Sequence, residues 1–327
     1  MPAETLSLGI PVYNQAGTIA QTIRSALEQS QSFDEILVID NHSTDGTTEL
    51  LKQFVPRIRI LSPPRHLSMV DNWNFCVGEM SGIWFTLLSG DDLLKPTFCS
   101  QVKAAIAAHD DAVLVRTDWD NIDDAGVTVN AHKQYSVSAL TRPPKTWREQ
   151  LTGPKVNFAA FAAKRSAWRQ VGGFPADFHL FQDWMFWLRL APLGTFVRVP
   201  VCLAQYRTQH RPDLEPKRVR PRLRDEYRYA IEVLPALPWG QAPDLALIRS
   251  VQAGRLREFL AYAARFPGTV SDDESLAMLE SWARSVGREA DYQRWLAGKS
   301  VVSPLARYHP LRLAKRMARG LLASIRA

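Results

Sequence analysis

Cysteine is scarce in this chain, whose 327 residues include three cysteines, Cys76, Cys99 and Cys202. Each lies in an apolar stretch, and none belongs to a CxxC or Cys/His pattern. A disulfide framework and a structural zinc site both need characteristic cysteine spacings, so this distribution excludes both classes. We expect three reduced thiols in the core.

Long apolar runs are also missing. No uninterrupted apolar stretch reaches the length needed to span a bilayer. Residues 1–5 include an acidic residue and lack the basic and apolar regions of a signal peptide. These absences predict a cytoplasmic protein, and they leave the inner face of the membrane open to it.

Acidic residues are absent from the C-terminal end. No Asp or Glu follows Asp291, whereas residues 292–327 carry eight Lys or Arg. The net charge of the whole chain is +7, so this tail supplies the positive excess and the rest is near neutral. A charge distributed in this way argues against the basic surface of a nucleic-acid-binding protein.

The tail from residue 304 onward has its apolar residues on one helical stripe, with Arg and Lys beside it. This pattern predicts a basic amphipathic helix that contacts an anionic membrane surface and brings the protein to a lipid-linked partner. The alternative is a helix packed on the rest of the protein, with its basic face in water.

The first 210 residues alternate short apolar runs with helical patterns. This alternation is typical of βαβ units and predicts an α/β fold with a mostly parallel sheet flanked by helices. The clearest buried strands are residues 6–12, 35–40 and 83–88. Beyond residue 210 the pattern is helical, with proline-rich joints. We therefore predict a sheet domain over residues 1–210 and a helical C-terminal extension over residues 211–327.

Two common nucleotide-binding motifs, GxGxxG and GxxxxGK[ST], are absent. Open α/β sheets bind ligands beyond the carboxyl ends of their strands, so polar residues at those ends are the candidates. Pro11, Tyr13 and Asn14 follow the first strand and offer an aromatic face with an amide, which can hold a base. Asp40 follows the second strand and can accept a hydrogen bond from a base N–H or a ribose hydroxyl. An Asx-type turn is the alternative for Asp40.

Two further acidic clusters carry chemistry. Asp91 and Asp92 end a buried strand, where adjacent carboxylates need a cation or several donors, and oxygen ligands suit Mg²⁺ or Mn²⁺ carried by a diphosphate. A helix-capping Asp with an exposed neighbour is the alternative. Asp183 lies among aromatic residues. Such surroundings desolvate a carboxyl group and raise its pKa towards the range of a general base. An acidic residue favoured by the helix dipole is the alternative there.

Six segments, taken in order, resemble the family 2 glycosyltransferases of GT-A fold over about residues 5–210. They read LGIPVYNQAGTIAQTIRSALEQ, EILVIDNHSTDGTTELL, MVDNWNFCVGEMSGIWFTLLSGDDLLKP, RSAWRQVGGF, FQDWMFWLRLA and YRTQH. The resemblance implies a GT-A catalytic domain over residues 1–210. It also implies that the segment from Pro11 to Asn14 and Asp40 bind the nucleotide, usually through a uracil or another pyrimidine.

The resemblance assigns the family's DxD motif to Ser89, Gly90 and Asp91, with Asp91 as the metal ligand. Ser89 departs from the family's first acid, which puts the usual ribose contact in doubt, and Asp92 is expected to hold the loop. Arg65 matches a region that approaches the diphosphate.

The family's catalytic base falls on Asp183, beside Gln182 where the family usually has Glu. His210 is a second candidate metal ligand, with a solvated loop histidine as the alternative.

The function that follows is an inverting, metal-dependent glycosyltransferase of the hexosyltransferase class. Its donor would be a nucleoside-diphosphate-sugar, most simply a UDP-sugar, with Mn²⁺ or Mg²⁺. Its acceptor would be a saccharide or lipid-linked saccharide in surface polysaccharide or glycoconjugate synthesis. The alternative is a catalytically inactive scaffold that binds nucleotide-sugars. A sugar-nucleotide pyrophosphorylase is disfavoured because no Gly-rich phosphate loop opens the chain.

Overall fold

The computed structural model describes residues 4–132, 138–208, 213–237 and 244–298. Internal contacts divide the chain into two compact units, Met1–His210 and Arg211–Ala327. The first unit contains the sheet, and the described part of the second unit is helical.

The described strands of the first unit form a single sheet. In chain order they are β1 (Leu6–Val12), β2 (Glu35–Asp40), β3 (Arg59–Leu61), β4 (Trp84–Leu87), β5 (Leu93–Leu94), β6 (Ala112–Ile122), β7 (Thr128–His132), β8 (Leu140–Thr141), β9 (Phe161–Lys164) and β10 (Thr195–Arg207). The helices between them are α1 (Ile19–Leu27), α2 (Thr47–Lys52), α3 (Met69–Glu79), α4 (Phe98–Ala107), α5 (Lys145–Gln150), α6 (Arg165–Gln170) and α7 (Gln182–Leu190).

The strand order along the sheet is β3-β2-β1-β4-β9-β6-β10-β5, with β7 paired to β6 and β8 to β10. Strands β3, β2, β1 and β4 run parallel, as do β6 and β10. Strand β9 lies between these two parallel groups and is antiparallel to both neighbours. The predicted α/β fold is confirmed, and the antiparallel pairings of β5, β7, β8 and β9 make the sheet mixed.

The centre of the sheet is apolar on both faces. Leu37, Val38 and Ile39 of β2 are consecutive, so their side chains point to both faces of the sheet. All three are fully buried, which is the expected pattern for a strand covered by helices on both sides. Ile19 and Ile23 of α1 fall on one helical face and are also fully buried. The helix therefore covers the sheet through the face that its spacing predicts.

A topological switch point lies between β1 and β4. The chain leaves β1 towards β2 and β3 on one side, and then returns to β4 on the other side. In open α/β sheets the connections on the two sides diverge at such a point and leave a crevice at the carboxyl ends of the strands. The loops after β1 and β4 border this crevice.

The second unit is built from helices around its own apolar core. They are α8 (Glu215–Arg228), a π-helical turn (Tyr229–Val233), a 3-10 turn (Leu234–Ala236), α9 (Leu245–Ala263), α10 (Asp273–Ser285) and α11 (Glu289–Leu296). Leu223, Leu256 and Trp282 are fully buried in this core. Arg255 reaches the buried Glu226 carboxylate with both Nε and Nη2, so the buried acid is compensated.

Two predicted features lie outside the described residues. One is the basic amphipathic helix of the tail, and the other is His210. Within the described part of the chain, no helix combines the length and apolar character that a bilayer crossing requires.

Candidate active site

A cleft of about 380 Å³ lies at the switch point between β1 and β4. It is lined by Pro11, Val12, Tyr13, Gln15, Asn41, His66, Leu67, Met69, Asn72, Trp73, Ser89, Gly90 and Asp91. Two larger depressions of about 530 and 460 Å³ lie near the amino ends of the parallel strands, and neither includes a predicted site residue. The smaller cleft is therefore the candidate site.

One end of the cleft is aromatic. Tyr13 is 47% exposed, and its ring meets the His66 ring edge-on at a centroid distance of 4.6 Å. His66 Nδ1 lies 3.0 Å from the carbonyl oxygen of Asn41. Since a carbonyl can only accept, Nδ1 carries a proton and the orientation of the imidazole is fixed. The half-exposed Tyr13 ring offers an aromatic surface for a planar ligand beside the end of β1.

The loop after β1 is bonded to the loop after β2. Asn14 adopts a positive φ of 51°, which asparagine tolerates better than most residues. Its Oδ1 accepts from the Thr44 backbone amide at 2.8 Å, and its backbone amide donates to Ser43 Oγ at 3.0 Å. Asp45 Oδ2 accepts from the Ala16 amide at 3.0 Å. Asn14 and Asp45 therefore hold the two loops together.

Asp40 is buried in the turn that follows β2. Its Oδ1 accepts from the Ser43 amide at 3.0 Å, and its Oδ2 accepts from the Thr48 hydroxyl. This is the Asx-type turn, and Asp40 is not among the residues that line the cleft. A direct contact between Asp40 and a base stays a prediction.

The loop from Ser89 to Asp92 packs against the end of β1 and the segment that leads into α1. A Cβ added at Gly90 would stand 2.7 Å from Gln15 Oε1 and 3.2 Å from Val12 Cγ2, so the loop lies close to the end of β1. Thr18 Oγ1 donates to the carbonyl oxygen of Gly90 at 2.8 Å. These contacts fix the loop at the cleft wall.

Asp91 and Asp92 have different surroundings. Asp91 is half-buried and lines the cleft, and burial raises the pKa of its carboxyl group. Asp92 is 1% exposed, and its Oδ1 accepts from the Arg207 amide at 2.8 Å. Burial and the neighbouring Asp91 charge hold the pKa of Asp92 well above its usual value. The geometry therefore gives Asp91 access to a ligand and gives Asp92 a role inside the loop.

Arg207, at the end of β10, ties the acidic loop to its surroundings. Its Nε donates to the Asp91 carbonyl oxygen at 2.8 Å, and its Nη1 donates to the carbonyl oxygens of Asp123 and Asp124 at 2.7 and 2.8 Å. Its Nη2 reaches Gln21 Oε1 at 3.3 Å. The sequence pattern did not single out Arg207, although it lies within the YRTQH segment.

Asp183 lies in the first turn of α7 and is half-buried. Burial raises the pKa of its carboxyl group to about 6. A hydrogen bond from the Trp184 backbone amide to Oδ1, at 2.7 Å, acts in the opposite direction and lowers the pKa. The Trp187 indole approaches the same carboxyl group and lowers its pKa, but it does not reach hydrogen-bonding geometry. A carboxyl group with this pKa is largely ionised at neutral pH and still basic enough to accept a proton.

An aromatic cluster connects the cleft with α7. Trp73 lines the cleft and packs on Phe158 and Phe174, at ring centroid distances of 4.4 and 5.6 Å. Phe174 packs in turn on Phe186 of α7 at 4.1 Å. Trp73 therefore takes part both in the cleft wall and in the packing that supports the helix of Asp183.

Asn74 fixes the turn before α7. Its Oδ1 accepts from the Phe174 amide at 2.8 Å, and its Nδ2 donates to the Phe174 carbonyl oxygen at 2.9 Å. Gly173 has a φ of +79°, and a Cβ at this position would meet Asn74 Oδ1 at 2.6 Å. Both the backbone conformation and the close approach require glycine.

A divalent cation would find one carboxylate in the described part of the cleft, that of Asp91. Across the described ranges, no three Asp, Glu, His or Cys side chains converge as a cation site. Mg²⁺ and Mn²⁺ carried by a diphosphate commonly use one or two carboxylates with the phosphate oxygens, so Asp91 fits such an ion. Arg65 is exposed in the loop between β3 and α3.

The mixed α/β sheet flanked by helices is the fold of the GT-A class of glycosyltransferases. The model of the family described as "Glycosyl transferase family 2" matches residues 7–169, about half of the chain. The chain belongs to this family.

Three curated relatives share parts of the sequence. An uncharacterized glycosyltransferase of Haemophilus influenzae is 23% identical over 62% of this chain and 65% of its own length. The succinoglycan biosynthesis protein ExoO of Rhizobium meliloti is 28% identical over 42% of this chain and 38% of its own length. A chondroitin synthase of Escherichia coli is 26% identical over 59% of this chain and 27% of its own length. The chain thus spans less than two thirds of each of these relatives.

The fold is similar to solved structures of S. aureus TarS. The structure of TarS residues 1–349 in complex with UDP-GlcNAc has a TM-score of 0.56 and 13% sequence identity, and the match covers 91% of this chain and 93% of that one. A longer TarS structure has a TM-score of 0.60, and the match covers 89% of this chain and 54% of that one. At this level of identity the similarity establishes the fold.

Proposed function

We propose that the protein transfers a sugar from a nucleoside-diphosphate-sugar, with UDP as the nucleotide, to an acceptor hydroxyl with inversion at the anomeric carbon. The proposal rests on two acids of the sheet domain: Asp91, which lines the cleft, and Asp183 at the start of α7, which is not among the lining residues and whose pKa is raised to about 6. Family membership and the UDP-GlcNAc complex of TarS support a sugar nucleotide as the donor.

The nucleotide would lie against the aromatic pair of Tyr13 and His66, with its diphosphate towards Asp91. Asp91 would hold a divalent cation on the diphosphate, and such a cation neutralises negative charge on phosphate oxygens. Arg207 and Gly90 keep the backbone of the acidic loop in place at this end of the cleft. Asp92 supports the loop from within the protein.

Asp183 would act as the general base. The acceptor oxygen forms a bond to the anomeric carbon while the bond from that carbon to the diphosphate oxygen breaks. The hydroxyl proton passes to an Asp183 carboxylate oxygen, and the electron pair of the broken bond leaves with the nucleoside diphosphate. Since the attack comes from the face opposite the leaving group, a single displacement inverts the configuration.

The acceptor that we propose is a saccharide or lipid-linked saccharide in surface polysaccharide or glycoconjugate synthesis. Relatives named for succinoglycan biosynthesis and chondroitin synthesis support this class. A lipid-linked acceptor would also suit a membrane contact of the basic tail, whose residues lie outside the described ranges.

The test is a panel of nucleoside-diphosphate-sugars, each measured by thermal shift and by release of the nucleoside diphosphate, with and without Mn²⁺. We expect a uridine donor to raise the melting temperature more in the presence of Mn²⁺, and an acceptor to accelerate release of UDP. If no donor stabilises the protein under any metal condition, the proposal is wrong. Tight binding without turnover on any acceptor would favour the inactive scaffold.

A further inference from the structure

Asn72 is an unusual polar residue in the cleft wall. It lies in the first half of α3, is 4% exposed and borders the cleft. Its side-chain oxygen is buried and has no hydrogen-bond partner in the described ranges. A buried acceptor left unpaired costs about 1–3 kcal/mol, so native proteins keep few of them. An unpaired amide at this position needs an explanation.

Two polar groups near Asn72, one in the cleft wall and one at the start of α3, are bonded within the protein. The Asn41 side chain accepts from the Leu67 amide at 2.9 Å and donates to the Leu67 carbonyl oxygen at 3.0 Å. The Ser68 hydroxyl caps α3 by accepting from the Asp71 amide at 3.2 Å. Asn72 differs from them because its oxygen is buried at the cleft without such a bond.

The chemistry of a carboxamide narrows the ligand group. An Asn side chain is neutral and can both accept and donate, so it suits a hydroxyl or an imide N–H better than a phosphate. A half-turn of the amide about its last torsion exchanges its oxygen and nitrogen within the same space. Asn72 borders the same cleft as Tyr13, whose ring suits a base, and Asp91, whose carboxylate suits the divalent cation of a diphosphate.

We propose that Asn72 is a recognition residue for the nucleoside, with its carboxamide oxygen accepting from a ribose hydroxyl or from the imide N–H of the base. The inference rests on the proposed function, in which the cleft holds a nucleoside diphosphate. The unpaired oxygen is then a binding group that the free protein leaves without a partner. Stability is given up at this residue so that the ligand can be bound.

The melting temperature and the affinity for UDP, both measured on the whole chain, should respond differently to a substitution of Asn72. In Asn72→Leu, an apolar side chain of similar length replaces the unpaired amide, so we expect an unchanged or higher melting temperature without ligand. Affinity for UDP in the presence of Mn²⁺ should fall by about three- to tenfold, the loss expected for a single neutral hydrogen bond. Asn130→Leu, on the exposed face of β7, is the matched control and should bind UDP as the wild type does.

Three UDP analogues identify the ligand group that donates to Asn72. 2′-Deoxy-UDP and 3′-deoxy-UDP each lack one ribose hydroxyl, and 3-methyl-UDP lacks the imide N–H. If the ribose is the partner, wild type should discriminate against one of the deoxy analogues and Asn72→Leu should not. If the base is the partner, the same loss of discrimination should appear with 3-methyl-UDP.

The proposal is overturned if Asn72→Leu folds and binds UDP as tightly as wild type, because the amide would then contribute nothing to nucleotide binding. If Asn72→Leu does not fold, Asn72→Ser takes its place with the same expectations. Failure of both variants to fold would show that the protein itself needs the amide, and would also overturn the proposal. If wild type binds no nucleoside diphosphate, the proposed function itself fails.

Discussion

Asp183 is a half-buried carboxyl group, and its burial disfavours the charged form that a general base requires. Burial raises the pKa of the carboxyl group to about 6, so ionising it in the folded protein is less favourable than in the unfolded chain. A base near neutral pH needs this property. The same property gives the residue a measurable effect on both activity and stability.

Replacing Asp183 with Asn should reduce the turnover number for transfer by at least about 100-fold, because the variant has no group to accept the proton. The dissociation constant for the donor should change little. The matched control is Asp110→Asn, an exposed acid that borders a different depression. Near-normal turnover in the Asp183 variant would show that the base has been misassigned.

The pH dependence of turnover should follow the ionisation of Asp183. A base works when deprotonated, so the turnover number should fall as the pH drops through about 6. We would measure it with donor and acceptor both saturating, which isolates ionisations of the bound enzyme. A rate that stays flat from about pH 8 to pH 5 would contradict this assignment.

The same ionisation of Asp183, which activates the base, should lower the stability of the free protein. Because the folded pKa of Asp183 is raised, its contribution to stability is present below about pH 4 and is lost as the pH rises through about 6. Asp183→Asn should therefore raise the melting temperature relative to wild type near pH ~8, with less gain near pH ~4. Equal differences at both pH values would argue that the carboxyl group is not desolvated.

Asp91 should act on donor binding instead. Asp91→Asn removes the ionised ligand from the cleft, so the affinity for UDP with Mn²⁺ should fall by about tenfold or more, as expected for a lost metal contact. Binding of UDP without metal should change much less. Isothermal titration with and without Mn²⁺ measures the difference, and Asp110→Asn is again the control. Equal losses in both conditions would indicate that Asp91 does not hold a cation.

At the scale of secondary-structure elements, α3 and the turn at Gly173 form one structural unit. Trp73 and Asn74 are consecutive in α3, yet Trp73 faces the cleft wall and Asn74 bonds the backbone of Phe174. A displacement of the turn would therefore be transmitted to the aromatic packing under α7. The position of the base depends on this contact.

Gly173→Ala tests the contact between α3 and this turn. The new Cβ would approach Asn74 Oδ1 to 2.6 Å in a backbone conformation that alanine rarely adopts, so we expect a loss of about 1–3 kcal/mol in stability. The turnover number should fall more than donor affinity, since the cleft wall remains. The control is Gly126→Ala, which has a φ of +83° but open space around its Cβ. Equal effects of the two substitutions on turnover would show that the contact between Asn74 and the turn does not position the base.

The sequence patterns predicted the central elements well and the short ones poorly. The apolar runs of β1, β2 and β4 are bounded by polar residues, so their burial could be recognised locally. Strands β5 and β8 have two residues each and exist because β10 offers them partners. The antiparallel direction of β9 likewise depends on how the chain returns to the sheet, which no local pattern encodes.

The same division applies to the candidate site. Asp91 could be singled out because an acid directly after a buried strand is conspicuous. Its connection to Arg207 could not, since the bond joins positions 116 residues apart. The unpaired oxygen of Asn72 is also a property of the packed structure. The pattern around it indicated a helix, and that helix is observed.

For the whole molecule, the distribution of charge predicts a membrane contact by the tail. Full-length protein should sediment with anionic vesicles more than with neutral ones, because a basic amphipathic helix gains both electrostatic attraction and apolar burial. A variant ending at residue 303 is the comparison. Equal binding of the two proteins to anionic vesicles would rule out this role of the tail.

We expect the hydrogen bonds between Asn74 and Phe174 to form late in folding, because they join residues 100 positions apart. Closing a flexible loop of this length costs about 4 kcal/mol in chain entropy, so the contact forms only when the intervening sheet strands already hold the ends together. The helix that carries the base emerges from the ribosome after Phe174. We therefore expect the nucleotide cleft between β1 and β4 to be assembled first, and the base to be added to it late.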